Sequence, residues 1–302
     1  MGSLFLSLFA AFAAALSSLF FRKNTDSLVK NGSANGYLLL FYFLSFVLSL
    51  FFYSDIWKLH INPIMLVLGA SVGMLNAMLM ILTSQALKQG PSGLTFAFLN
   101  ASAIFPGLIL FLLLGTGFGF SYSSLQFFGM VLVLFGLFLG TPRKSKDRPK
   151  ASSQWLKYVL ACFSVQIFAL TFIQARCVLF NCSERIFSGY SVTEADDVWF
   201  MPGQFGAAFI LQTVLFLREK KRLQKREIIY GSLGGIANFL STCLLLLATK
   251  MALPLEKGVL FPLFAVACMI SCNLWANRFY QENFNLKTTA LCAFGIFLAA
   301  SS

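Results

Sequence analysis

Two asparagines, Asn76 and Asn238, occupy equivalent positions in a stretch of sequence that occurs twice. An amide inside an apolar helix is unfavourable unless it bonds to a partner, to water or to a ligand, and polar groups at such depth usually serve function. The pair therefore predicts a binding site to which each copy contributes one amide. The identical residues, 162 positions apart (76 and 238, for example), are Gly69, Gly73, Asn76, Ala86 and Lys88 in the first copy and Gly231, Gly235, Asn238, Ala248 and Lys250 in the second.

The other residues of the repeated stretch have structural as well as functional interpretations. The two glycines of each copy are four residues apart, the small-xxx-small spacing that lets another helix approach closely. Lys88 and Lys250 end the two copies. They either stabilise helix C-termini, by under about 1 kcal/mol each, or attract an anionic substrate to the mouth of a cavity.

The elements that position these residues are long apolar runs. Hydrophobic residues make up 58% of the chain and charged residues 11%, which is outside the usage of soluble globular proteins. About 20 apolar residues of helix cross the hydrocarbon of a bilayer, and a helix satisfies its own backbone polar groups there. The sequence therefore predicts an all-α integral membrane protein with ten transmembrane helices. The predicted spans are Leu4–Phe21, Tyr37–Tyr53, Ile64–Leu87, Gly93–Leu114, Leu125–Gly140, Trp155–Ala175, Val198–Leu217, Ile228–Thr249, Gly258–Ala276 and Leu286–Ala300.

Basic residues are distributed unevenly among the connections between these spans. Of the 23 Lys and Arg residues, 18 lie in or beside the odd-numbered connections, which the positive-inside tendency places in the cytoplasm. Both termini are then expected outside, and the basic residues face anionic lipid headgroups rather than nucleic acid. The five basic residues of the even-numbered connections are Lys58, Arg176, Arg185, Lys250 and Lys257.

A polar, proline-bounded linker divides the chain into two halves. The predicted domains are a first five-helix repeat at residues 1–140, a basic cytoplasmic linker at 141–153 and a second five-helix repeat at 154–302. Because five is an odd number, the halves enter the membrane in opposite directions, and the repeats are inverted. Inverted repeats place their substrate near the membrane midplane, at the interface between the repeats.

Four further residues are candidates for substrate binding. Pro106 and Pro262 are expected to bend the fourth and ninth spans, which exposes polar groups near the bends. Lys257 is the basic residue nearest the membrane core in the second half. The further candidates are Asn100, Asn273, Asn277 and Lys257.

Residues for catalysis, metal binding or a disulfide framework are scarce. The only histidine is His60, and no His/Cys ligand spacing is present, so we expect no enzyme, no cofactor and no metal site. Cys177 and Cys182 flank the predicted outer end of the sixth span and could pair in an oxidising compartment. The acidic loop Asn181–Asp197 either binds a cation or, as we expect, is solvated.

Both halves carry the same short features in the same order. The residues are Ala86-Leu87-Lys88, Pro91 and Pro106 in the first half and Ala248-Thr249-Lys250, Pro254 and Pro262 in the second. In these features and in its two five-helix halves, the chain resembles the drug/metabolite transporter (DMT) superfamily, in particular its EamA-like ten-helix branch. The resemblance implies a central cavity lined mainly by the third, fourth, eighth and ninth spans.

The position of the acids bears on energy coupling. All eleven acidic residues are expected in loops or at helix ends. The small multidrug members of the resembled superfamily use a membrane-embedded Glu in their first helix, and Leu4–Phe21 has none. We therefore expect facilitated diffusion or exchange rather than proton-driven export of lipophilic cations.

These observations predict a secondary transporter that works by alternating access. Its substrate is expected to be a small polar metabolite: an amino acid, a nucleoside derivative or a sugar. The expected setting is a bacterial inner (cytoplasmic) membrane, with lipids and the metabolite as partners and the chain as a monomer. The alternative is a membrane scaffold or lipid-handling protein that transports nothing, since an asparagine can also serve packing alone.

Overall fold

The computed structural model of the chain describes residues 2–27, 33–52, 61–89, 92–103, 105–118, 123–139, 153–186, 192–280, 290–292, 294–295 and 297–298. All regular secondary structure in these ranges is helical, which confirms the predicted all-α class. The helices are α1 (Gly2–Ser27), α2 (Ala34–Phe52), α3 (Pro63–Gln89), α4 (Ser92–Ser102), α5 (Phe105–Leu114), α6 (Ser124–Leu139), α7 (Ser153–Ile186), α8 (Phe200–Glu219), α9 (Lys225–Met251) and α10 (Pro254–Tyr280).

Seven helical segments are long and apolar enough to cross a membrane. They correspond to α1, α2, α3, α7, α9, α10 and α8 together with the short 3-10 helix before it, Glu194–Trp199. Two shorter apolar segments, Phe98–Leu114 and Ser124–Gly136, lie between them in the sequence. Large apolar side chains such as Phe51 and Leu113 are more than 70% exposed, as expected for a surface that faces lipid. The chain thus has the helices of a multi-pass membrane protein.

Some predictions lie outside the described residues. These are His60, nearly all of the linker at 141–153 and much of the predicted span Leu286–Ala300. The residues of that span that the structure does describe are helical.

The two predicted proline bends differ from each other. The fourth predicted span is divided into α4 and α5, and the backbone N–H of Ala103 donates to the carbonyl of Asn100 (3.2 Å) in the turn that ends α4. Pro106 is the second residue of α5, where the missing N–H of proline is harmless. Pro262, in contrast, lies inside the continuous helix α10.

The sixth predicted span corresponds to helix α7, which is longer than the sequence predicts. The span was expected to end at Ala175, but α7 has 34 residues and ends at Ile186. The expectation that Cys177 and Cys182 could pair is therefore wrong. Residues five apart on one α-helix are about 7.5 Å apart along the axis, which exceeds the Cα separation that a disulfide spans. Cys177 is buried.

The chain forms two compact units, each of which draws helices from both sides of the predicted linker. Unit 1 contains Met1–Ala15, Leu82–Thr171 and Ser241–Ser302, and unit 2 contains Leu16–Ile81 and Phe172–Leu240. Four helices, namely α1, α3, α7 and α9, contribute one end to each unit.

Unit 1 has an apolar core formed by α4, α6, α10 and the C-terminal helical residues. Its buried members are Ala101, Met130, Val133, Val266, Met269 and Cys292. The Cys292 thiol donates to the carbonyl of Val133 (3.6 Å). A Cβ atom added to Gly295 would lie 2.7 Å from the carbonyl oxygen of Gly129. The predicted fifth and tenth spans therefore pack closely at two glycines, Gly295, which faces Gly129, and Gly136, which faces Cys292.

In unit 2, α2 packs along α8. The ring of Phe209 lies 5.4 Å from that of Phe43 and 6.4 Å from that of Phe46, measured between centroids. Such aromatic pairs add about 0.5–1.5 kcal/mol to the energy of apolar burial. The two helices thereby provide a stable frame on which α3 and α9 pack.

Candidate functional site

The glycines of the first repeated copy lie where α3 crosses α8 within unit 2. The Cα of Gly69 faces the carbonyl of Phe200, and that of Gly73 faces the carbonyl of Gln204. A Cβ atom at either glycine would overlap the facing carbonyl oxygen. From the other side, a Cβ on Gly203 would lie 2.5 Å from the carbonyl oxygen of Leu66. The backbones of α3 and α8 are thus in direct contact, as small-xxx-small helix pairs allow.

The glycines of the second copy make the corresponding crossing between α9 and α2. A Cβ atom on Gly231 would lie 2.7 Å from the carbonyl oxygen of Tyr37, and one on Gly235 would lie 2.6 Å from that of Phe41. The hydroxyl of Ser45 on α2 donates a hydrogen bond to the carbonyl of Gly235 on α9 (2.9 Å), which further stabilises the crossing. In both crossings, glycines four residues apart meet carbonyls four residues apart.

The crossings determine where the two asparagines lie. Asn76 follows Gly73 by three residues and Asn238 follows Gly235 by three, so each amide lies on the glycine-bearing face, about one turn beyond the close contact. Both asparagines are half-buried. Neither side chain forms a hydrogen bond with another described residue, and none joins the two. The structure places the pair in the same compact unit, at equivalent positions beside equivalent crossings.

The four further candidates lie in unit 1. Asn100 is half-buried in the last turn of α4, and Asn273 is half-buried on α10. Asn277 is exposed near the end of α10. Lys257 is half-buried in the first turn of that helix. No hydrogen bond joins the side chains of the three asparagines among the described residues, so unit 1 gathers these candidates without assembling a site from them.

Sequence reasoning missed an ion pair buried in unit 2. Arg176 was assigned to an outer connection, but it lies inside α7 and is 0% exposed. Its Nη1 atom is 3.1 Å from Oδ1 of Asp197, whose side chain is 11% exposed. The guanidinium carbon lies 5.2 Å from the ring centroid of Phe200 and 5.8 Å from that of Phe180. The guanidinium group of this charged pair therefore lies over two aromatic rings near the beginning of α8.

The structure also corrects the expectation that the acidic loop before α8 is solvated throughout. Glu194 is exposed, but Asp197 is buried against Arg176. Asp196 accepts hydrogen bonds from the backbone N–H (2.7 Å) and the hydroxyl (2.9 Å) of Thr193, which begins the 3-10 helix Glu194–Trp199. No cluster of three or more potential metal ligands occurs among the described residues.

A signal for the buried arginine was present in the sequence. Arg176 has apolar residues on both sides, and Cys177-Val-Leu-Phe180 continue the run for another turn. A search that stops at the first charged residue ends the helix too early. An isolated charge followed by more apolar sequence indicates a charge inside a span, and such residues pair and are usually functional.

A second polar cluster joins the beginning of α2 to the α8–α9 turn. The backbone N–H of Ser33 donates to Oε1 of Glu227 (2.5 Å), and Glu227 also accepts from the backbone N–H of Gln224 (3.0 Å). The amide of Asn35 donates to Glu219 (2.6 Å). Glu227 is only 1% exposed, so one carboxylate caps the N-termini of both α2 and α9, where the helix dipole favours negative charge.

Comparisons with known proteins establish the fold and nothing finer. No family profile and no curated protein matches the chain. Among solved structures, 28 chains match. One of them, described only as the crystal structure of a protein, superposes with a TM-score of 0.65 at 11% sequence identity. The match covers 99% of this chain and 95% of that one. The whole helical arrangement is thus that of a fold already seen in a crystal structure.

Proposed function

We propose that the chain is a secondary transporter that moves a small polar metabolite by alternating access between two inverted five-helix repeats. The observation that carries the proposal is the pair of equivalent helix crossings, each followed one turn later by a half-buried asparagine. We include in the proposal that the chain is related to the EamA-like transporters of the DMT superfamily, which its sequence resembles. The proposal also keeps the expected setting, a bacterial inner membrane with the odd-numbered connections in the cytoplasm, and the expectation of a monomer.

The crossings support the inverted repeat because they are reciprocal. The helix that carries the first repeated copy, α3, crosses α8, which belongs to the second half of the sequence. The helix that carries the second copy, α9, crosses α2, which belongs to the first half. A two-fold relation between the halves requires this exchange of partners. Transporters with inverted repeats bind substrate where the repeats meet.

The amides supply the polar chemistry. A polar side chain inside a membrane span is unfavourable unless it is hydrogen-bonded. Asn76 and Asn238 form no hydrogen bond with another described residue, and both are half-buried rather than fully buried. Each amide has two donors and one acceptor. The two side chains are therefore suited to bind the hydroxyl, amide or carbonyl groups of a polar metabolite.

The proposal includes facilitated diffusion or exchange. The buried acids of the described residues lie at the ends of spans: Glu227 caps two helices, and Asp197 is paired with Arg176. Glu256, in the first turn of α10, accepts hydrogen bonds from the hydroxyl of Ser3 (2.7 Å) and the backbone N–H of Leu253 (3.1 Å). None of these acids lies at the middle of a described span, where a proton carrier is expected.

The test is flux into proteoliposomes with matched asparagine variants. Labelled glutamine and glutamate, uridine and uridine 5′-monophosphate, and glucose and glucose 6-phosphate represent the three substrate classes. Asn76→Leu and Asn238→Leu should each reduce flux of the transported compound at least about tenfold, the effect of losing one hydrogen bond to the substrate. Gln154→Leu removes an amide at an exposed position at the beginning of α7, outside the candidate site, and should leave flux unchanged.

Folded yield, measured by monodisperse gel filtration, separates the proposal from the scaffold alternative. The proposal requires Asn76→Leu and Asn238→Leu both to remain folded while flux falls. If both variants fold poorly and the surviving protein transports normally, the asparagines serve packing. If no compound of any class enters with the wild-type protein, the chain is a scaffold or a lipid-handling protein.

A further inference from the structure

We propose that Arg176 binds the anionic group of the transported substrate, a carboxylate or a phosphate. In the substrate-free protein, Asp197 is the internal counter-ion that this group displaces. The inference rests on the proposed transport function and deepens it by naming a substrate class. It makes the cargo an acid, such as an amino acid with an acidic side chain, a nucleotide or a sugar phosphate.

Stability alone does not explain the pair. Removing two charges from water costs several kcal/mol per ion, and apolar residues of similar volume are often as stable or more stable. The two residues also lie near the ends of two apolar segments, Ser153–Phe180 and Glu194–Glu219, which are both long and apolar enough to span a membrane. Ionisable residues in such segments are rare and usually mark substrate or ion pathways.

Arg176 is held more firmly than Asp197, which indicates that Asp197 is the partner that a ligand displaces. Arg176 is anchored in the 34-residue helix α7, is 0% exposed, and its guanidinium group lies over the rings of Phe180 and Phe200. Asp197 belongs to a 3-10 helix of six residues, whose hydrogen bonds are weaker than those of an α-helix. Of the two side chains, only that of Asp197 reaches solvent, at 11% exposure. A ligand therefore approaches from the carboxylate side.

A ligand that takes the place of a carboxylate must resemble one. The guanidinium group is planar and always charged, and its fork of donors matches carboxylate and phosphate oxygens. The two aromatic faces hold it in orientation by cation–π attraction. A cationic ligand that bound Asp197 instead would leave Arg176 buried without a counter-charge, which is strongly destabilising. The geometry therefore favours an anion over a cation.

Displacement of Asp197 by the substrate can also affect the helix crossing between α3 and α8. Asp197 lies three residues before Phe200, the first residue of α8. Phe200 provides both the ring over Arg176 and the carbonyl that contacts Gly69. Movement of the 3-10 helix when the substrate binds therefore changes the position of the residue at the α3–α8 crossing. Binding and helix movement are coupled through one residue.

The test uses pairs of compounds that differ only in the anionic group. The pairs are uridine 5′-monophosphate with uridine, glucose 6-phosphate with glucose, and L-glutamate with L-glutamine, which shares the α-carboxylate and therefore tests the side-chain carboxylate alone. Binding to the purified full chain is measured by the shift of the thermal unfolding midpoint, and flux is measured in proteoliposomes. The variants are Arg176→Gln, Asp197→Asn and the charge-balanced double variant R176Q/D197N, which leaves no unpaired buried charge.

We expect the anionic member of at least one pair to stabilise the wild-type protein more than its neutral partner. Asp197→Asn should bind that anion about tenfold more tightly, because the competing carboxylate is gone. The double variant should fold like the wild type but lose the preference for the anion. The inference is overturned if no anionic member exceeds its partner, if Asp197→Asn weakens anion binding, or if the double variant keeps the preference.

Failure of this inference can be told apart from failure of the transport proposal. If a compound enters proteoliposomes with the wild type and the double variant keeps the wild-type preference for the anion, transport stands and the anion site is wrong. If an anion stabilises the protein through Arg176 but no compound enters proteoliposomes, the binding site stands and transport is wrong.

Discussion

Replacement of Gly235 by alanine tests whether the α2–α9 crossing is a rigid contact between backbones. The added Cβ would lie 2.6 Å from the carbonyl oxygen of Phe41 and 3.2 Å from both the carbonyl carbon and the Cα of that residue. Ordinary contact begins at 3.4 Å, so the helices must separate by about 0.8 Å. Because every close atom belongs to the backbone, no change of side-chain rotamer can relieve the overlap.

The expected loss of stability follows from two opposing terms. Overpacking of a well-packed contact costs about 1–3 kcal/mol. Alanine is favoured over glycine in a helix interior by about 1 kcal/mol. The difference predicts that Gly235→Ala lowers the free energy of unfolding by about 1 kcal/mol, or the unfolding midpoint by about 2 °C. The Ser45 hydrogen bond to the Gly235 carbonyl (2.9 Å) would also lengthen as the helices separate.

Gly206→Ala is the matched control, since it makes the same change in another helix of unit 2. There the nearest atoms belong to the ring of Phe46, at 3.1 Å and beyond. A ring on a flexible side chain can swing away, so the overpacking term is small. The helix-propensity term then dominates, and the unfolding midpoint should stay the same or rise.

The assay is thermal unfolding of the purified protein in detergent, followed by tryptophan fluorescence. Gly231→Ala, at the same crossing, should also destabilise, since its Cβ would lie 2.7 Å from the carbonyl oxygen of Tyr37. One separation of the helices relieves both overlaps, so the double variant should lose less than the sum of the single variants. The reasoning is refuted if Gly235→Ala unfolds at or above the temperature of Gly206→Ala.

Three further predictions concern topology, capping and energy coupling. A cysteine replacing Lys146, in the linker Arg143–Lys150, should resist an impermeant thiol reagent in intact cells, because the basic connections are expected in the cytoplasm; ready modification reverses the topology. Glu227→Ala should lower the free energy of unfolding by about 2 kcal/mol by leaving the N–H groups of Ser33 and Gln224 without their acceptor. Glu227→Gln, which keeps one acceptor, should lose less, and equal losses would exclude the capping role. Uptake into proteoliposomes loaded with exchange substrate should survive a protonophore, and abolition of uptake would indicate proton coupling.

The helical class of this protein could be predicted because it depends on local composition. A run of about 20 apolar residues has to be helical in lipid whatever its neighbours are. The two ends of α2, α3 and α9 accordingly lie within a few residues of the predicted bounds. The repeated glycines could likewise be interpreted as positions of close approach, since only a residue without a Cβ admits a neighbouring backbone. The ten-span inverted repeat stays a prediction that the reciprocal crossings support.

The candidate site was only partly accessible to sequence reasoning. Asn76 and Asn238 stood out because each is a polar residue in an apolar run and because the two are related by the repeat. Their half-burial and their place beside the crossings agree with a binding role. Arg176 did not stand out, because a charge near the end of an apolar run usually marks the boundary of a span.

The sequence by itself determined which segments are largely helical. It also determined which faces of α3 and α9 carry glycines, whose missing Cβ atoms allow close contact. Both properties follow from the side chains of one short segment. Only the tertiary structure decided that α3 meets α8, that α9 meets α2, and that Arg176 is buried against Asp197. A charge inside an apolar helix is stable only when a particular partner from another segment reaches it. That partner lies in the 3-10 helix before α8, and no local pattern specifies that this helix meets α7 at Arg176.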